Sequence, residues 1–455
     1  MTNQVPSEKR PRIDPRIFIS APFQVCPKCQ EKEFGVLIIS GRNSYTRRCR
    51  KCWHTANYAL PEIRKKIIYL DQFVISNIVK VLDPESRSHR RALENPFWLE
   101  AYKKLDHLSK LQLIICPDSH FHHDESLLSG DPPYDSLKDL YEHLSNGCTF
   151  YDYYAILRQQ LDYCFWAYLK NEPDRELELN ANHVVYGDLH EWQERLLVSI
   201  NSPPRPGEEE EIRNLRDRQY QELVRAFEGW RSEGTQFDQS FMEEAAAWGR
   251  ATIEVFASYL QRYAQLPIRF AEEIERTGTY TPQLEDIIPP PAAELIFGML
   301  RLLESYGISE AQALAKIGEY FRSPHLLKVP YIRLSSMLYA SLARKAGAGR
   351  VKPPSPGTFT DINAIASLLP YCDAIFVDAE MAGYLGDNPL RDEVAKYPVR
   401  VFSLRSNDQF LEFLDGIEKE AHPLHLKMVK EVYGDDWGEP YLSLIVDRRR
   451  TSSRG

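Results

Sequence analysis

Two cysteine pairs near the N-terminus constrain this chain more than any other feature. Cys26-x2-Cys29 is followed after nineteen residues by Cys49-x2-Cys52. Two close thiol pairs at this spacing converge tetrahedrally on Zn²⁺ when a hairpin brings them together. The intervening EFGVLIISGRNSYTRR reads as such a hairpin: an apolar strand, a Gly-Arg-Asn-Ser turn and a return strand. So short a segment has little core of its own, and metal binding supplies much of its stability. The bland alternative is a pair of redox dithiols or unrelated thiols.

This spacing resembles a zinc ribbon, expected over residues 25–58. Arg47, Arg48, Arg50, Lys51 and Trp53 cluster around its second knuckle. Cations interleaved with aromatics suit phosphate contact and base stacking, so they are candidate nucleic-acid contacts. A solvated face, or a docking surface for the protein's own body, is the other reading. The remaining cysteines, Cys116, Cys148, Cys164 and Cys372, lie in apolar surroundings and read as reduced core residues.

Eight cysteines in 455 residues are too sparse for a secreted disulfide scaffold. No run approaches the roughly eighteen apolar residues of a membrane helix. Residues 1–24 read as a flexible leader without a secretory core, and a cytoplasmic protein with no membrane partner is expected. Net charge is −9, yet residues 1–66 carry fourteen Lys and Arg against five Asp and Glu. A basic head on an acidic body does not suit nonspecific coating of nucleic acid. It permits local phosphate contact.

Beyond the ribbon, short apolar runs mark strands: IIYL (67–70), LQLIIC (111–116), AIFV (374–377) and VRVFSL (399–404). Their lack of alternation predicts burial on both faces, as in a parallel sheet with crossover helices. Residues 135–347 instead show apolar spacing of three and four, as in YDYYAILRQQLDYCFWAYLK. The expected layout is an α/β domain in two halves, 66–130 and 350–415. A helical insertion over 131–349 separates the halves, and a C-terminal extension follows over 416–455.

Acids fall at the strand ends. Asp71 follows IIYL, Glu125 follows LQLIIC by nine residues, Asp361 opens DINAIASLL, and Asp378 and Glu380 follow AIFV. In an open parallel sheet the carboxyl ends of strands build sites. Acids gathered there repel unless hard cations sit between them, and Mg²⁺ or Mn²⁺ is the apt partner. Individually, Asp71 and Asp361 could equally be helix caps and Glu125 a solvated helix residue.

Three segments carry a resemblance: YLDQFVIS, CPDSHFHHDESLL and FTDINAIASLLPYCDAIFVDAEMAGYL. Together they resemble the PIN-like nuclease domain, in which four acids on a compact parallel sheet bind divalent metal and cut RNA. The resemblance implies Asp71, Glu125, Asp361 and Asp378 as catalytic metal ligands, with Glu380 the other candidate for the fourth acid. Asn77 and Ser119 would orient water or phosphate. It implies RNA as substrate, with single-stranded DNA the alternative. The family joins its second and third acids by a few tens of residues; here 235 intervene.

Two other readings stay open. An inactive PIN-like adaptor would bind protein or nucleic acid through the ribbon and the insertion, which could also carry a homodimer face. His120-x-His122-x-Asp124 is similar to a metallo-β-lactamase motif, although the following residue is Glu125 and the chain beyond is mostly helical.

Overall fold

A computed structural model describes residues 14–40, 43–172, 175–195, 203–234, 236–280 and 287–452. The N-terminal sheet is antiparallel in the order β1 (Ser20–Gln24), β2 (Phe34–Ser40), β3 (Ser44–Cys49), β4 (Thr55–Ala59). The expected hairpin is β2–β3, in register from Phe34↔Cys49 to Ser40↔Ser44; two of its turn residues, 41 and 42, lie outside the described residues. The leader expectation is corrected over its second half. Ser20–Gln24 pairs with β2 rather than trailing in solvent, and of the leader, residues 1–13 lie outside the described residues.

The second sheet is parallel and joins distant pieces of chain. Its order is β10 (Arg400–Phe402), β9 (Ala374–Phe376), β5 (Lys66–Leu70), β6 (Ile114–Ile115). β5 lies inside, matching Ile68 to Ala374 and Leu70 to Phe376 on one side, and Lys66 to Ile114 on the other. The strands are shorter than the apolar runs, with LQLIIC contributing only Ile114–Ile115 to its ladder. A third, antiparallel pair joins β7 (Thr149–Phe150) to β8 (Val185–Tyr186).

Alternate strand residues point to opposite faces, and both faces here are apolar. Ile67, Tyr69, Ile115 and Ile375 enter one buried cluster. Ile68, Leu70, Ile114 and Phe376 enter another. The second cluster includes the helices Gln72–Leu82, Phe97–Lys110 and Asn407–Glu420. The first continues into the helical block through Ile296, Met299, Leu334 and Leu338.

The block is therefore not an autonomous insertion. It supplies the cover of one sheet face, and its first helix, Tyr134–Ser145, packs on the other face through Leu137, Leu140 and Leu144. The C-terminal residues are likewise no mere extension. The helix Pro423–Tyr433 joins Val429 and Val432 to Val36, Ile39 and Tyr45 of the first sheet. Among the described residues no helix is long and apolar enough to cross a membrane.

Candidate metal centres

The two cysteine knuckles are built alike. Gln30 and Trp53, each four residues beyond its knuckle's first cysteine, adopt φ of 62°. Each turns its amide back onto that cysteine's carbonyl, at 2.9 Å for Gln30→Cys26 and 3.1 Å for Trp53→Cys49. The β2–β3 register then sets one knuckle over the other. All four sulfurs lie within 4.8 Å of one another. Cys26–Cys52 and Cys29–Cys49 are each separated by 3.6 Å. Zn–S bonds of about 2.3 Å arranged tetrahedrally separate sulfurs by about 3.8 Å. The four cysteines are thus placed to bind a metal ion, and the donor set fits structural zinc. The other four cysteines are free and buried.

The basic residues of the ribbon divide. Arg47 is 0% exposed, and its guanidinium donates to the carbonyls of Pro22, Phe34 and Glu431. It is a clamp between the ribbon and the C-terminal helix, which removes it from the candidate nucleic-acid contacts. Arg50 donates to the Ile19 carbonyl at 2.6 Å and lies over the Phe23 ring. Lys51 pairs with Glu31 at the surface. Arg48 lies 4.8 Å from the centre of the Trp53 ring, which is 36% exposed. These two form the most accessible cation–aromatic pair of the set.

The acids come from four different elements. Asp71 directly follows β5 and caps Gln72–Leu82, with Oδ1 accepting from the Phe73 amide at 3.1 Å. Asp378 follows β9 and caps Ala379–Gly386, with Oδ1 accepting from the Met381 amide at 2.6 Å. Each cap occupies one oxygen. Glu125 lies on His120–Leu127, the helix after β6. Asp361 sits in the first turn of Thr358–Leu368, which begins at Thr358 with Gly357 as its cap. Asp361 therefore neither opens nor caps that helix, and its side chain is released for the cleft.

Asp71, Glu125 and Asp361 line one small cleft with Tyr69, Phe121 and Val377. It encloses about 10 Å³, close to what the centre of one water-sized occupant explores. Burial pushes Asp71 up to about 6, the Phe73 amide opposes the rise, and Asp378 adds to it. Burial raises Glu125 to about 8, reinforced by Asp71 and partly offset by Arg216. Asp361 is held well above the carboxylate range by burial and then by Asp71, Glu125, Asp378 and Glu380. Burial is the larger cause and mutual repulsion the smaller, and a divalent cation would relieve both by favouring the ionised form. Among the described residues, however, no three carboxylates meet at the spacing of the four sulfurs. The acids share a cleft without closing a coordination shell.

Glu380 takes a different part. Arg350 pairs with it, the Tyr384 hydroxyl donates to it at 2.9 Å, and burial is outweighed so that its carboxyl stays low. This favours Asp378 as the fourth acid. Arg350, and Arg216 on the helix Glu208–Glu233, bring cations to the acids; nothing local in their sequence signals it.

The histidine segment does not form a ligand set among the described residues. His122 is 2% exposed, stacks between Tyr69 and Tyr141, and its Nε2 faces the Leu70 carbonyl at 2.8 Å. It is a core residue that ties β5 to the helix His120–Leu127, not a group at the cleft mouth. Ser119 is the buried cap of that helix, accepting from the His122 amide. Asn77 donates to the Phe73 carbonyl at 2.7 Å, which gives that side chain a helix-internal partner.

Compared with known protein families, with curated proteins and with solved structures, the chain gives no match.

Proposed function

We propose that the chain is a metal-dependent nuclease with a PIN-like catalytic domain, hydrolysing phosphodiester bonds in RNA. The observation that carries this reading is the shared cleft of Asp71, Glu125 and Asp361, with Asp378 acting on two of them. Residues up to 307 positions apart in sequence supply carboxylates to one edge of a parallel sheet. Helix capping accounts for one oxygen of Asp71 and one of Asp378, and for nothing at Glu125 or Asp361.

In this reading Asp71, Glu125, Asp361 and Asp378 hold Mg²⁺ or Mn²⁺ through their remaining oxygens. The bound ion supplies Lewis acidity, activating water and offsetting charge on the leaving oxygen. The protein's own part is orientation: the caps fix two carboxylates, and the Phe121 and Val377 side of the cleft keeps bulk water away. Arg216 and Arg350 limit the net negative charge that an approaching phosphate meets. Zinc at the ribbon performs no chemistry; it holds Arg48 and Trp53 where a single strand can stack.

The test compares wild type with Asp71→Asn on a panel of RNAs and single-stranded DNAs, with Mg²⁺, Mn²⁺ or chelator. RNA cleavage that needs metal and drops at least a hundredfold in the variant supports the proposal. Equal cleavage by both proteins removes the site, and no cleavage of any substrate favours the adaptor reading.

A further inference from the structure

The two ends of the parallel sheet differ in chemistry. Acids gather where the strands finish. Where β5 begins, the sequence is Arg64-Lys65-Lys66, and a separate pocket of about 480 Å³ opens beside it. That volume lies in the range of small-molecule sites. Its polar lining includes Arg64, Lys65, Asn180, Asn182, Glu178 and Asp373, with Lys66 and His190 beside them.

Outside the acid cleft, the fully buried carboxylates among the described residues are paired. Asp106 is held by His143 at 2.6 Å and Lys110 at 3.0 Å. Glu393 is held by Arg333 and Lys396, each at 2.7 Å. Lys65 breaks the pattern: it is only 4% exposed, and no hydrogen bond or ion pair to its Nζ occurs among the described residues. The stem is buried, but the residue lines the pocket, so its ammonium is left to water or to a ligand there rather than to a protein partner. Burial lowers it to about 8, with Cys148, Asp188 and Glu191 opposing, so it keeps its proton at neutral pH.

The neighbouring groups are donors. The Asn180 side-chain oxygen accepts from the Asn182 amide at 3.0 Å, and the Asn182 oxygen accepts from the Leu189 amide at 3.4 Å. These contacts orient each carboxamide by its oxygen and leave its NH₂ group as a donor for the pocket. Of the two acids in the lining, Asp373 is already neutralised by Lys66 at 2.7 Å and by the Ile67 amide at 2.9 Å. Pro370, Tyr371 and Pro398 add an apolar wall.

We propose that this pocket binds a small phosphomonoester: Lys65 and Arg64 take the phosphate oxygens, the Asn180 and Asn182 amides complete the donor set, and the organic part lies against Pro370, Tyr371 and Pro398. The proposal does not depend on the nuclease reading, since the pocket occupies the opposite end of the strands from the acid cleft.

Full-length zinc-loaded protein would be titrated with inorganic phosphate, adenosine 5′-monophosphate and adenosine at constant ionic strength, reading both melting temperature and calorimetric heat. The expected result is saturable stabilisation by the two phosphate-bearing probes and none by adenosine. Lys65→Met should weaken binding at least about tenfold, the loss expected for one charge-assisted contact. Its ligand-free melting temperature should equal or exceed wild type. Asn182→Ala should weaken binding by a smaller factor and serves as the readout if Lys65→Met does not fold. Asp361→Asn should leave the phosphate response unchanged. The proposal is overturned if phosphate stabilises no more than chloride of equal ionic strength, or if neither Lys65→Met nor Asn182→Ala alters affinity.

Discussion

The cysteine knuckles and the acid cleft each gather ionisable side chains, yet they are built in opposite ways. The four cysteines span 27 positions, and one hairpin register brings their sulfurs within 4.8 Å. The acids come from four elements, Asp71 to Asp378, joined only by the tertiary fold, and they remain more loosely spaced. A closed soft-ligand shell with no room for a further group suits structure. In the proposed reading, a looser hard-ligand cleft with raised carboxyl pKa values suits a metal that keeps open positions. One site is part of what folds the protein; the other is maintained at the fold's expense.

The largest expected effect breaks the first half of that comparison. Cys49→Ser, or zinc removal by a strong chelator, should release the metal and unfold the ribbon, because structural zinc is worth on the order of 10 kcal/mol to such modules. Zinc content by mass spectrometry and proteolysis confined to about the first sixty residues would check it. Intact, protease-resistant protein without zinc would show that the small apolar cluster around Cys26, Phe34 and Cys49 suffices alone.

Next in size is the ribbon's attachment. Arg47→Ala leaves three carbonyls without their shared donor and empties a buried site, so it should lower stability by about 2–4 kcal/mol. Arg48→Ala should stay within about 0.5 kcal/mol, as surface changes do. Chemical denaturation of both variants separates the buried clamp from the half-buried cation.

The acid cleft should behave in the reverse sense. Asp71 and Glu125 titrate at about 6 and about 8 in the folded state, above their usual values near 4. Raised folded-state values mean that stability is fully present below about pH 4 and is lost as pH rises through about 6 to 8. In metal-free protein, Asp361→Asn or Glu125→Gln should raise stability at pH 8 by about 1–3 kcal/mol and flatten the pH dependence. Mn²⁺ should stabilise wild type more at pH 8 than at pH 5. Melting curves across that range would contradict the account if the variants were destabilised at every pH.

The smallest effect concerns the knuckle turn. Gln30→Val forces a β-branched side chain onto a φ of 62° and should cost about 1 kcal/mol, whereas Gln30→Gly should change stability by less. Equal midpoints for the two variants would mean that the turn relaxes.

The same contrast governs what could be read from sequence. The cysteine site was legible because its geometry is local, and the apolar runs around β5 and β9 were legible because both faces of those strands are buried. Asp71 and Asp378 were visible as residues after strands. The buried state of Arg47 was not, since its partner Glu431 lies 384 positions away. His122 read as part of a metal-binding motif because a polar side chain gives no sign that Tyr69, Tyr141 and the Leu70 carbonyl enclose it. The packing of the insertion on the sheet was not legible, because periodicity reports an apolar face without naming what it covers.

The most direct test of the central claim is cleavage of a labelled single-stranded RNA by wild type and Asp361→Asn, with zinc content verified in both and Mn²⁺ added or chelated. The account predicts Mn²⁺-dependent cleavage by wild type and at least a hundredfold loss in the variant, with its zinc retained. Cleavage at the same rate by both proteins, or cleavage indifferent to Mn²⁺, would contradict it.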